Sequence, residues 1–264
     1  MNRRIVLILS IWCFFSVITA AQSPQARQKP ADKDKSGAID PQAMTALNRM
    51  SDYLKTLKAF RINSEVSKDE LVDTNMKIQK SASNEISVQL PDRLHAHMAG
   101  DEHDLQLIYD GKTLTVYDAA GKHYATAPAP PTVGRTLDAI RARYGIVFPL
   151  ADFIQMSAQE NLLQNITAAG YIGTSRIDGV ECDHVAIRQP DVDWQVWIEK
   201  GESPLPRKVV ITTKTQPTQP QYIATLKWDT TSSIDSNLFS FTPPADAVRI
   251  KFARRANQEK GARP

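Results

Sequence analysis

The chain has 264 residues, with 32 basic and 29 acidic side chains for a formal net charge of +3, and 42% of it is hydrophobic. That is enough apolar material for one large β-rich domain or two small ones. The near-neutral balance excludes a nucleic-acid binder's basic footprint and strong electrostatic attachment to anionic membranes.

Arg3 and Arg4 precede an apolar run from Ile5 to Ile18 and the small residues Thr19-Ala20-Ala21. This order reads as a secretory signal peptide over 1–21. The run is short for a membrane span and ends in small residues, so cleavage is the reading, with a retained anchor as the alternative. Cys13 follows Ile11-Trp12, unlike a lipoprotein acylation box. Removing the signal takes away Arg3 and Arg4 and lowers the net charge to +1. Cys182 is then the only cysteine, so no intramolecular disulfide can form and stability must come from the core. No second run of about 18 apolar residues follows, and stable membrane insertion of the mature chain is not expected.

Residues 22–39 are rich in Gln, Pro, Lys, Asp and Ser and read as a disordered leader, as residues 253–264 read as a polar tail. Asp32, Asp34, Ser36, Gly37, Ile39 and Asp40 mimic the start of a calcium loop, but Ala43 stands where a bidentate Glu is needed. A polar leader ending in a helix cap is the simpler account. Asp40 caps and Pro41 opens a helix whose stripe is Ala43, Leu47, Met50, Leu54 and Leu57. Polar Asn48, Arg49, Asp52, Lys55 and Lys58 take its other face, so the helix is built to lie on an apolar sheet.

Strands follow with period-two patterning. Phe60, Ile62 and Val66 alternate with Arg61, Asn63 and Glu65; Ile86, Val88 and Leu90 alternate with Glu85, Ser87 and Gln89. Leu105, Leu107 and Tyr109 continue the pattern. Asp110-Gly111 turns this strand into Thr113–Tyr117, and Ala120-Gly121 precedes His123–Thr126. Pro128, Pro130 and Pro131 then break the meander. A short helix from Thr136 to Tyr144 ends at Gly145, and Leu150, Phe153 and Ile154 fall at helical spacing in the following piece. Strands resume near Gly170: Asp178-Gly179 turns into Val180–Arg188, followed by Val192–Glu199, Pro206–Thr213 and Gln221–Trp228. No fixed-period repeat is present, which disfavours a propeller or solenoid.

Four stretches taken in order carry a family resemblance: Leu47–Leu54, Asp110–Asp118, Val196–Glu199 with Pro204–Lys208, and Ile234–Pro244. Together they resemble an uncharacterised family of predicted bacterial periplasmic proteins, similar to the lipoprotein-carrier superfamily of the LolA and LppX type. The resemblance spans roughly residues 40–252. It implies a half-open antiparallel β-barrel with an N-terminal amphipathic helix, a mid-chain helical lid and an apolar cavity for acyl chains. It does not extend to the Cys182-Asp183-His184 strand or the longer helical insert, and it names no cargo.

Catalytic and metal-binding patterns are poorly served. His95 and His97 share a strand face with His103 near in sequence, a start for zinc or copper, but no ligand at firm spacing completes the set. Cys182 and His184 share a face two residues apart, too far for a ready hydrogen bond. A buried cysteine beside a satisfied histidine is the plainer account. Trp194 falls on the core side of its strand; Trp197, on the other side, either packs under a neighbour or meets a partner. No paired-carboxylate motif, phosphate-cradling glycine loop or Gly-x-Ser-x-Gly occurs.

The expectation is a mainly β, non-catalytic periplasmic carrier for acylated or other lipophilic molecules, without a cofactor. Its cavity and lid are expected to use Met50, Leu54, Leu57, Phe148, Leu150, Phe153 and Ile154. The alternative is an envelope protein-interaction or sensor module on the same scaffold with a filled core. An outer-membrane barrel fits poorly with the amphipathic helix and the Pro-rich insert.

Overall fold

A computed structural model describes residues 38–252, apart from 73–75, 102, 147, 149, 159–162 and 164. The expected signal peptide over 1–21, most of the expected leader with Asp32, Asp34, Ser36 and Gly37 of the calcium-like run, and the expected tail lie outside the described residues.

Helix α1 spans Pro41–Thr56, and the Asp40 side chain accepts from the Gln42 N–H at 2.8 Å. Ala43, Ala46, Leu47, Met50 and Leu54 are buried, so the apolar stripe is the face the helix hides. It packs against three strands, β7 (Ala168–Ile177), β8 (Val180–Arg188) and β9 (Val192–Glu199).

Two runs of consecutive antiparallel strands build the sheet. The first contains β1 (Ala59–Leu71), β2 (Lys77–Gln89), β3 (Arg93–Gly100), β4 (Asp104–Tyr109), β5 (Thr113–Asp118) and β6 (His123–Pro128). The second runs from β7 through β8 and β9 to β10 (Pro206–Thr213) and β11 (Gln221–Asp229). β1 pairs with β11, fusing both runs into one 12-stranded sheet with order β12-β6-β5-β4-β3-β2-β1-β11-β10-β9-β8-β7. Among the strands of the described residues, only the two-residue β12 (Val248–Arg249) runs parallel to its neighbour, and a single parallel bridge joins Ile39 to Ala169. No ladder joins the terminal strands β12 and β7 among the described residues, so the sheet remains open.

Turn chemistry follows the residues. Gly111 takes φ +89°, and the Asp110 carboxylate accepts from the backbone N–H groups of Lys112 and Thr113. Asp178 and Gly179 both have positive φ, 49° and 81°, as a two-residue type I′ hairpin requires.

The connection between β6 and β7 carries α2 (Val133–Tyr144) and α3 (Ala151–Ser157). α2 starts three residues before the expected Thr136 because Thr132 caps it, accepting from the Arg135 N–H; it stops at Gly145, whose φ is +71°. α3 packs against both α1 and α2, and one core cluster joins these helices to the sheet's inner face. On the outer face, Phe241 of the closing segment packs on Tyr117 and Tyr124 with ring centroids 5.5 and 5.3 Å apart.

Candidate ligand cavity on the inner face

Strand register lets the inner face be followed row by row. Phe60, Val88, Leu94, Tyr109 and Leu114 cross β1 to β5 in one row, each no more than 3% exposed. Trp228, Ile62, Ile86, Ala96, Leu107 and Val116 form the next. The third row turns partly polar with Leu226, Ser64, Asn84, Met98 and Leu105. There the Asn84 amide donates to the Ser64 hydroxyl at 3.0 Å, so each buried polar group has a partner. Ala224, Val66, Ala82 and Gly100 come next, and Tyr222, Lys68 and Lys80 lie beyond them. Along a single strand the face thus passes from packed hydrocarbon to small apolar residues and then to charge.

Two adjoining cavities open over the face from the second row outward. The first, about 370 Å³, is walled by Val66, Ala82, Asn84, Met98 and Leu105 from the sheet and by Ile146, Phe148 and Leu150 from the connection between α2 and α3. The second, about 410 Å³, lies between Leu137, Ile140 and Ala151 of the two helices and Ile211 and Tyr222 of the sheet. Lys68, Leu107, Ile146, Phe148 and Tyr222 contribute to both walls. Their sizes fall within the roughly 300–1,000 Å³ of small-molecule sites. Hydrocarbon dominates both linings.

The charged groups around the cavities are mostly matched. Glu70 pairs with Lys80 at 2.9 Å, and Asp138 pairs with Arg141 and accepts from Gln155, both at 3.1 Å. Asp101 accepts from the Ser81 N–H at 2.8 Å. Asp152 keeps accessible surface toward the second cavity but is ringed by protein atoms. Loss of bulk water raises its pKa, against the pull of Arg141. Burial also pushes the Tyr222 phenol up.

Of the seven residues expected to line a cavity, Phe148 lies in both walls and Leu150 in the first. Met50, Leu54, Leu57, Phe153 and Ile154 instead join the shared core of helices and sheet, between 0% and 8% exposed, and line neither cavity. They lie in the core because the α1 stripe meets α3 and the sheet directly. Of the sheet residues of the walls, Val66, Leu105, Ile211 and Tyr222 fell in expected strands, whereas Ala82 and Asn84 lay before the expected start of theirs. Lys68 carried no signal there, because a strand lysine reads as solvent-facing.

The remaining chemical candidates resolve into local contacts. Cys182 is fully buried, which raises its thiol pKa, and its Sγ contacts the Val180 carbonyl. His184 hydrogen-bonds Gln195 at 3.0 Å and stacks on Trp197 at 4.1 Å, with Lys208 Nζ 5.0 Å from that indole's centroid. Trp194 packs against the core from the inner face. Burial lowers the His95 pKa, while His97 bonds to Asp104 at 2.7 Å. No group of three or more His, Cys, Asp or Glu suited to a metal occurs among the described residues.

No helix among the described residues is long and apolar enough to cross a membrane. No curated protein matches the chain significantly. Among solved structures, the chain is similar to an uncharacterized conserved protein from Thermus thermophilus, at 10% identity and a TM-score of 0.47, covering 80% of this chain and 99% of that one. It is also similar to the lipoprotein LppX of Mycobacterium tuberculosis, at 17% identity and 0.47, covering 74% and 100%. A LolA superfamily protein from Nitrosomonas europaea gives 8% identity and 0.36, covering 75% and 97%. The family model matches residues 43–253, from the first turn of α1 to just past β12. The chain therefore belongs to the family described as predicted periplasmic protein (DUF2092), and the periplasm is its compartment.

Proposed function

We propose that this periplasmic protein binds and carries acylated or other lipophilic molecules, without covalent chemistry. The observation that carries the reading is the pair of adjoining, mainly apolar cavities of about 370 and 410 Å³ between the inner sheet face and the α2–α3 segment. Open apolar surface of this kind gains free energy by burying hydrocarbon. Each methylene moved from water into such a space contributes about 0.8 kcal/mol, so a short acyl segment suffices for useful affinity. Phe148 and Leu150 on the insert, facing Val66 and Met98 on the sheet, would hold the chain.

Extraction of the protein from a bacterial periplasm with organic solvent, followed by mass spectrometry of extract and intact protein, tests this. Copurified lipid or added mass is expected. Clean apo protein that shows no thermal shift with fatty acids or phospholipids would contradict it.

A second reading, an envelope interaction or sensor module, draws support from β7. This strand ends the sheet order; Ala38–Asp40 bridge it at Ala169, and past them the irregularity between Tyr171 and Gly173 leaves Ile172 59% exposed. Edges of this type accept a partner strand. Capture of a periplasmic partner that is lost on placing a proline in β7, with no lipid bound, would favour it over the carrier.

A further inference from the structure

We infer that Lys68 and Tyr222 form a head-group site where the two cavities meet, selecting single-chain amphiphiles with an anionic head. The inference rests on the carrier reading and specifies its ligand.

The two residues are direct cross-strand partners on β1 and β11, on the same inner face. Both line both cavities, so any chain lying in either one passes within reach of them. Lys68 makes no close ion pair or hydrogen bond with a described residue, its charge acting only at longer range on the Glu70 carboxylate that Lys80 holds, and the Tyr222 hydroxyl has no hydrogen bond with one. This sets them apart from their neighbours. Lys80, the next residue in the row, is held by Glu70; Arg141 is held by Asp138. Asp101 is engaged by backbone. Asp152 lines only the second cavity, where Arg141 acts on its carboxyl. An ammonium and a phenol O–H are both donors, and side by side they leave two donor positions without an acceptor at the wet end of apolar walls. A carboxylate or phosphate monoester supplies that acceptor, while its alkyl chain follows Leu107 and Phe148 inward. The lysine stem can lie along hydrocarbon with its head toward water.

Competition against a bound fluorescent fatty acid on the full-length mature protein separates the possibilities. Palmitate, hexadecyl phosphate, hexadecanol and hexadecyltrimethylammonium share one chain and differ only in the head. The anions are expected to bind roughly tenfold to a hundredfold more tightly than the alcohol, as for hydrogen bonds to charged groups. Lys68→Met should remove that preference and leave hexadecanol affinity within about twofold, which also reports an intact cavity. Lys68→Arg should restore the preference, and Tyr222→Phe should reduce it by a smaller factor. The ratio of palmitate to hexadecyl phosphate tells a carboxylate head from a phosphate head. Equal binding of palmitate and hexadecanol, or a preference untouched by Lys68→Met, would overturn the head-group site and leave the carrier standing. Tighter binding of the ammonium compound would overturn it in favour of the acids. Failure of all four to displace the probe would overturn the carrier reading with it.

Discussion

The inner face of the sheet has two ends that share strands but not a mode of packing. At one end, Phe60, Ile62, Ile86 and Val88 are at most 1% exposed in the core they share with α1 and α3. At the other, the same strands present Val66, Lys68, Lys80 and Ala82 to a cavity. The difference shows where folding energy and function separate. The packed end gives stability to the whole sheet, which leaves the other end free to keep apolar surface uncovered.

Substitutions at the two ends should therefore behave differently. The largest effect is expected from Phe60→Ala at the packed end. The ring is 1% exposed and meets Trp228 at a centroid distance of 5.4 Å, so its loss should cost about 3–5 kcal/mol in urea unfolding. Gly100→Ala should come next. A Cβ there would lie 2.7 Å from both the Ala82 Cβ and the Ser81 carbonyl oxygen, forcing β3 away from β2 at about 1–3 kcal/mol. Val66→Phe, pointing into the first cavity, should change stability by about 1 kcal/mol or less, because open space receives the ring. It should nevertheless reduce fatty-acid binding several-fold in a fluorescence titration. A loss as large as that of Phe60→Ala would mean that the space is packed.

The smallest effect concerns Asp152. Its pKa is raised in the folded state, so the fold holds that proton more tightly than the unfolded chain does. The associated stability is present below the ordinary carboxylate range and is lost as pH rises through the folded pKa. Asp152→Asn should accordingly raise Tm modestly at about pH 7 and leave it unchanged near about pH 3, as read by thermal melts at both pH values.

The packed end was largely legible in the sequence, and the cavity end was not, for one physical reason. Packing imposes periodicity. The α1 stripe and the alternation in Phe60–Val66 and Ile86–Val88 exist because those positions must exclude water. The strands β8, β9 and β10 also have the bounds their residues announce, since turns such as Asp178-Gly179 leave little choice. Toward the cavity the inner positions become Ser64, Lys68, Glu70, Lys80 and Asn84, and the alternation fades. The 13-residue lengths of β1 and β2 were therefore hidden. The β1–β11 ladder, which sets Lys68 opposite Tyr222, joins residues far apart in sequence and left no local trace. Phe148 and Leu150 announced an apolar insert, whereas Met50 and Leu54 announced a stripe that could serve either a core or a cavity. Which of the two a stripe serves depends on what faces it, and that is a property of the assembled sheet.

Photo-crosslinking tests the division between the two ends most directly. Palmitate carrying a terminal diazirine, irradiated on the purified protein and mapped by peptide mass spectrometry, should label the cavity walls around Val66, Met98, Leu107 and Phe148. Labelling confined to Met50 and Leu54 of α1, or no labelling competed by unmodified palmitate, would contradict the assignment of the open end as the ligand site.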